Sequence, residues 1–148
     1  MDPDREHPNH RRALQAWGRG QFVEARELWN SCIEQAEKDK DIAWLTFYLQ
    51  GLAKMGGEAG NTEAFHGLHQ RALALEPDAP LLLLFYARDI WTVFKDKESS
   101  LREIERLEEL LTSDRWDRTR DLSLSAYRQK IGTLKAWIRG EPGGPVWP

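Results

Sequence analysis

The chain has 148 residues, 41% hydrophobic and 30% charged, with a formal charge of −3. That is long enough for one ordinary domain with its own core, and too acidic overall to be drawn to nucleic acid or anionic lipid by its net field. One cysteine, Cys32, excludes an internal disulfide and with it a disulfide-stapled secreted scaffold.

The opening residues are polar or charged and hold Pro3 and Pro8 where a signal peptide needs an apolar run, so a cytoplasmic setting is expected. Residues 1–7 read as a flexible lead-in. Pro8 and Asn9 start a first helix holding Ala13, Leu14, Ala16 and Trp17, which Gly18 and Gly20 stop. A second, amphipathic helix follows: Phe22, Ala25, Leu28, Trp29, Cys32, Ile33 and Ala36 recur at steps of three and four, with charges on the other face.

The third helix, about 41–55, is apolar around most of its circumference through Trp44, Leu45, Tyr48, Leu49 and Leu52, so it needs cover on several sides. Gly56, Gly57 and Gly60 are expected to break it. Asn61 or Thr62 caps a fourth helix with Phe65, Leu68, Ala72 and Leu75 inward, ended by Pro77. The fifth, about 79–94, is again apolar nearly all round, but it is shorter than the ~20 residues a bilayer needs and carries Arg88 and Asp89. No membrane partner is expected.

Ser100 with Glu103 forms the pattern of a capping box for a sixth helix whose inner face is Leu101, Ile104, Leu107 and Leu111. The last helix, about 117–139, presents Leu124, Tyr127, Ile131, Leu134 and Ile138 on one stripe and stops at Gly140. Residues 141–148 form a loose proline- and glycine-rich tail in this reading, with Trp147 its one adhesive side chain.

A recurring helix pair is the mark of a solenoid. Gly20, Phe22, Ala25, Trp29 and Cys32 align over Gly60, Thr62, Phe65, His69 and Ala72. The run from Gly20 to Ala25, and the run from Arg71 to Pro77, resemble the second-helix start and the repeat ending of the tetratricopeptide repeat family. The likeness covers 8–77 and thins beyond it, and the 40-residue offset between Gly20 and Gly60 exceeds the family's usual step. It implies an all-α short solenoid: three antiparallel helical hairpins plus a C-terminal capping helix, seven helices within one domain over 8–140.

The family likeness also implies a non-catalytic adaptor or scaffold that takes a peptide or helix of another protein on its inner helical face. Leu14, Trp17, Trp44, Tyr48 and Trp91 are the candidate groove residues. The carboxylate clamp of co-chaperone members is not expected, because its slots fall on His10 and Leu14, and leucine cannot bind a carboxylate. The alternative for these tryptophans is plain packing between long helices.

Charge is unevenly spread. From 115 to 139 there are seven basic residues against Asp117 and Asp121, so this segment is +5 and the rest −8. Arg128, Lys135 and Arg139 share a stripe, which is either a solvated face or a docking strip for an acidic partner or nucleic acid. A self-assembling homo-oligomer is the other alternative.

Nothing points to catalysis, a cofactor or a metal. His7 with His10, and His66 with His69, have a spacing found in some metal sites, yet no cysteine or carboxylate set accompanies them. Cys32 on the apolar stripe reads as a buried small hydrophobe. Gly56 to Gly60 follows a helix, not a strand, and so is not a nucleotide cradle.

Overall fold

Three residues at steps of twenty set the rhythm of the first half: Gly20, Lys40 and Gly60 have φ of +74°, +55° and +91°. Each follows a helix end. The next residues, Gln21, Asp41 and Asn61, donate their N–H groups back to the carbonyls of Ala16, Ala36 and Gly56 at 2.9, 2.9 and 2.8 Å. This left-handed closure satisfies a helix-end carbonyl; glycine adopts it freely, and Lys40 does so against its Cβ. Asp41 and Asn61 then cap the following helices, accepting from the N–H groups of Trp44 and Ala64 at 3.4 and 3.0 Å.

The computed structural model describes residues 1–119 and 121–141, and among them it has seven α-helices and no strand. Those turns separate α1 (Pro8–Gly18), α2 (Phe22–Lys38), α3 (Ile42–Glu58) and α4 (Thr62–Leu75). Gly56 and Gly57, expected to break α3, lie within its last turns, because only position 60 requires positive φ. The expected loose tail lies outside the described residues apart from Glu141, and Trp147 with it.

The chain divides into two compact units, Met1–Pro77 and Asp78–Pro148. In the first, α1 packs on α2, α2 on α3 and α3 on α4. Its core centres on Trp29, fully buried among Ala13, Ala25, Cys32 and Leu49. Trp17 meets Trp29 edge-on at 5.7 Å. Gly51 lets α3 approach: a Cβ there would lie 3.2 Å from the Trp29 ring.

In the second unit, α5 (Pro80–Asp89) continues into a π-helical turn over Ile90–Phe94, and Lys95 ends it with φ of +54°. Next come α6 (Lys97–Thr112), packed on α5, and α7 (Leu124–Ile138), packed on α6. The cap of α6 is Asp96, which accepts from the N–H of Ser99 at 3.1 Å. Ser100 is therefore interior and fully buried, and Glu103 pairs with Arg106 at 2.7 Å instead of reaching back to a cap.

The last helix begins seven residues later than its sequence suggests. Asp117 accepts from the N–H and hydroxyl of Thr119 at 2.9 and 2.6 Å, and Asp121 accepts from the N–H of Leu122 at 2.7 Å. Such local side-chain bonds compete with the helical ladder, and Ser123 then caps α7 through the N–H of Ala126 at 3.1 Å. Trp116 anchors this connection: it is 3% exposed, donates to the carbonyl of Leu111 at 3.3 Å and meets Tyr127 edge-on at 5.8 Å.

Candidate functional site

The candidate groove residues fall in different environments. Leu14 on α1 is 42% exposed. Trp17, also on α1, is half-buried and donates its indole N–H to Glu58 at 2.9 Å. Trp44 and Tyr48 on α3 are core residues, stacked at 5.4 Å. Trp91 is half-buried in the π-helical turn of the second unit.

What covers Trp44 and Tyr48 is the chain's own beginning, the segment expected to be flexible. Trp44 donates its indole N–H to the carbonyl of Asp2 at 2.8 Å, and Tyr48 accepts from the N–H of His7 at 2.8 Å. Residues 3–5 form one 3₁₀ turn, and Arg5 pairs with Asp41 at 3.2 Å. His10 sits in the middle, edge-on to Phe47 at 5.4 Å and 2.6 Å from Glu6. Burial pushes the Tyr48 phenol above its ordinary range, an effect the His7 N–H partly offsets. Sequence reasoning missed Asp2, Arg5 and Glu6 because a non-helical segment carries no periodicity to read.

An open groove lies elsewhere in the first unit. Phe22, Val23, Arg26 and Asn30 of α2, Leu52, Met55 and Gly56 of α3, and Ala64 and Leu68 of α4 surround about 150 Å³. Phe22 and Val23, at the first turn of α2, are 38% and 62% exposed. Phe22 belonged to the expected inner stripe of α2, whereas Val23 lies off that stripe and went unread.

The basic stripe borders a second cleft, of about 300 Å³, between α6 and α7. Leu111, Leu124 and Ile131 supply apolar walls, and Gly132 leaves open space, since a Cβ there would meet nothing within 4 Å. Arg128 and Lys135 stand at its edge, with Lys135 held by Glu108 at 3.0 Å. Arg139 pairs with Glu141 at 3.4 Å and is not among the lining residues, so the structure brings two of the three basic residues together at this cleft.

Both histidine pairs have other partners. His7 accepts from the N–H of Asn9 at 3.0 Å, capping α1. His66 and His69 both pack on Phe65, at 5.0 and 4.7 Å, and His69 lies 3.3 Å from the Gln50 amide. Cys32 is fully buried, and burial pushes its thiol up to about 11. In the second unit Lys95 lies over the rings of both Trp91 and Trp137, at 5.1 and 5.2 Å.

No family model, curated protein or solved structure matches the chain. The functional reading therefore stands on the geometry above.

Proposed function

We propose that this chain is a non-catalytic helical-repeat scaffold, a tetratricopeptide-like α-solenoid of helical hairpins, that holds a peptide or helix of a partner protein. The observation that carries this is the groove between α2, α3 and α4, with large apolar side chains left open at its rim. Exposed apolar surface beside a concave space gives a partner's side chain somewhere to bury, and a few such anchors dominate the energy of an interface. The equal twenty-residue step of the turns supports the repeat reading, since the two helices it encloses, α2 and α3, each have 17 residues.

The test is co-purification of the tagged full chain from its native cell, beside a Val23→Asp variant of unchanged helical content. A stoichiometric partner protein held by the wild type and lost by the variant is the expected result. Recovery of the bait alone, as a multimer, would favour the self-assembling homo-oligomer. A partner held equally by both proteins would remove this groove from the proposal.

A second reading, docking of an acidic partner, draws on the cleft between α6 and α7, where Arg128 and Lys135 flank apolar walls. Its signature differs: binding should weaken steeply as ionic strength rises, and reversal of Arg128, Lys135 and Arg139 to glutamate should abolish it. A salt-insensitive complex indifferent to those reversals would dismiss it.

A further inference from the structure

We propose that the aromatic face of α3, formed by Asp41, Trp44 and Tyr48 with His10 beside it, is a binding site for an extended peptide, and that residues 2–7 occupy it as a built-in competitor. The partner chemistry it fits is a segment with a basic residue followed directly by an acidic one, as in Arg5 and Glu6.

Two of the four contacts read backbone, not side chain. The Trp44 indole donates to the Asp2 carbonyl and the Tyr48 hydroxyl accepts from the His7 N–H, each at 2.8 Å. Trp44 and Tyr48 are four residues apart on one helix, so they share a face and offer a donor and an acceptor along it. Any extended segment has a carbonyl and an N–H to meet them. The other two contacts add selectivity: Arg5 on Asp41 at 3.2 Å, and Glu6 on His10 at 2.6 Å, one of each charge.

The segment itself is lightly held. Residues 1–5 are exposed and Glu6 and His7 are only half-buried, so polar contacts carry much of its attachment. Such bonds are exchangeable for equal ones from another chain, and the surface beneath, Trp44 at 6% and Tyr48 at 1% exposure, is large and aromatic. What favours the resident segment is its tether, which gives it a high effective concentration. An incoming peptide therefore wins by making further contacts, or when Arg5 or Glu6 is lost. The proposal rests on the scaffold reading only for the existence of a partner in trans, because the resident segment defines the site's chemistry.

The experiment uses a fluorescein-labelled peptide of residues 1–9 and fluorescence anisotropy. A chain lacking residues 2–7, which frees the Tyr48 hydroxyl as well as the Trp44 indole, should bind it saturably in the micromolar range, the full chain should bind it at least about tenfold more weakly, and an Arg5→Glu peptide should lose a similar factor on the shortened chain. If the shortened chain loses its helical signal, the full chain carrying Arg5→Glu and Glu6→Lys takes its place, since there α3 is intact and only the resident's charge contacts are reversed. Absence of peptide binding to the loosened protein overturns the proposal, as does equal binding to loosened and unaltered protein. Either result leaves the Val23 groove untouched, and peptide binding with no cellular partner recovered would fault the scaffold reading alone.

Discussion

The hydroxyl of Ser100 donates to the carbonyl of Ala87 at 2.8 Å, with Ser100 fully buried. This bond joins α6 to the end of α5 just before the π-helical turn. It gives the buried Ser100 hydroxyl its partner and adds a second donor to the Ala87 carbonyl, which also accepts from the Ile90 N–H.

Ser100→Ala should therefore cost about 0.5 to 1.5 kcal/mol in urea unfolding, because one buried hydrogen bond is lost while the Ala87 carbonyl keeps the Ile90 N–H. Asp96→Ala should cost about 0.5 to 2 kcal/mol as the loss of a true cap. A neutral Asp96→Ala beside a Ser100→Gly that costs only a few tenths of a kcal/mol would return the cap to Ser100.

Lys40 and Lys95 share a left-handed backbone, with φ of +55° and +54°. Glycine relieves that strain, so Lys40→Gly should stabilise the protein by about 1 kcal/mol. Lys95→Gly should gain less or nothing, since it also removes the ammonium from the Trp91 and Trp137 rings. Equal gains in melting temperature would mean those ring contacts contribute nothing.

Ile104 is fully buried, whereas Leu28 is only partly so. Ile104→Ala should cost about 2 to 5 kcal/mol and Leu28→Ala distinctly less, although the two positions look alike in sequence. Chemical denaturation of both variants checks this, and the reverse order would mean that the inward faces of α2 or α6 are misassigned.

Burial raises the Cys32 thiol from its ordinary 9.0 to about 11. The folded value lies above the unfolded one, so this group's contribution is fully present below pH 9 and is lost as pH rises from about 9 to about 11. Wild type should accordingly lose stability faster than Cys32→Ala across that window, as read from urea midpoints. Parallel curves would contradict it. A thiol reagent at pH 8 should react slowly with the native protein and fast in denaturant.

Helix positions were legible because the helices carry their own instructions. Phe22, Ala25, Trp29 and Cys32 repeat at steps of three and four, Asn61 is a cap by chemistry, and Gly20 and Gly60 accept left-handed turns that other residues resist. Each of those signals is local, acting within a few residues along the chain, so the sequence by itself determined an all-helical protein and the boundaries of α1, α2 and α4, while α3 ran on past Gly56 and Gly57. It went astray where two local signals competed. Asp117 and Asp121 bond to nearby backbone and delay α7, and Ser100 looks like a cap until Asp96 takes that place.

Tertiary structure alone decided which apolar residues stay open. Trp44 and Trp17 are equally greasy on paper, yet the first is buried and bonded to Asp2 while the second is half-exposed against Glu58. Burial depends on what arrives from forty residues away, and helical periodicity says nothing of that. The same holds for the two clefts: Val23 lines one with Leu52 and Leu68, and Arg128 the other with Leu111, across helices whose separation no local pattern encodes.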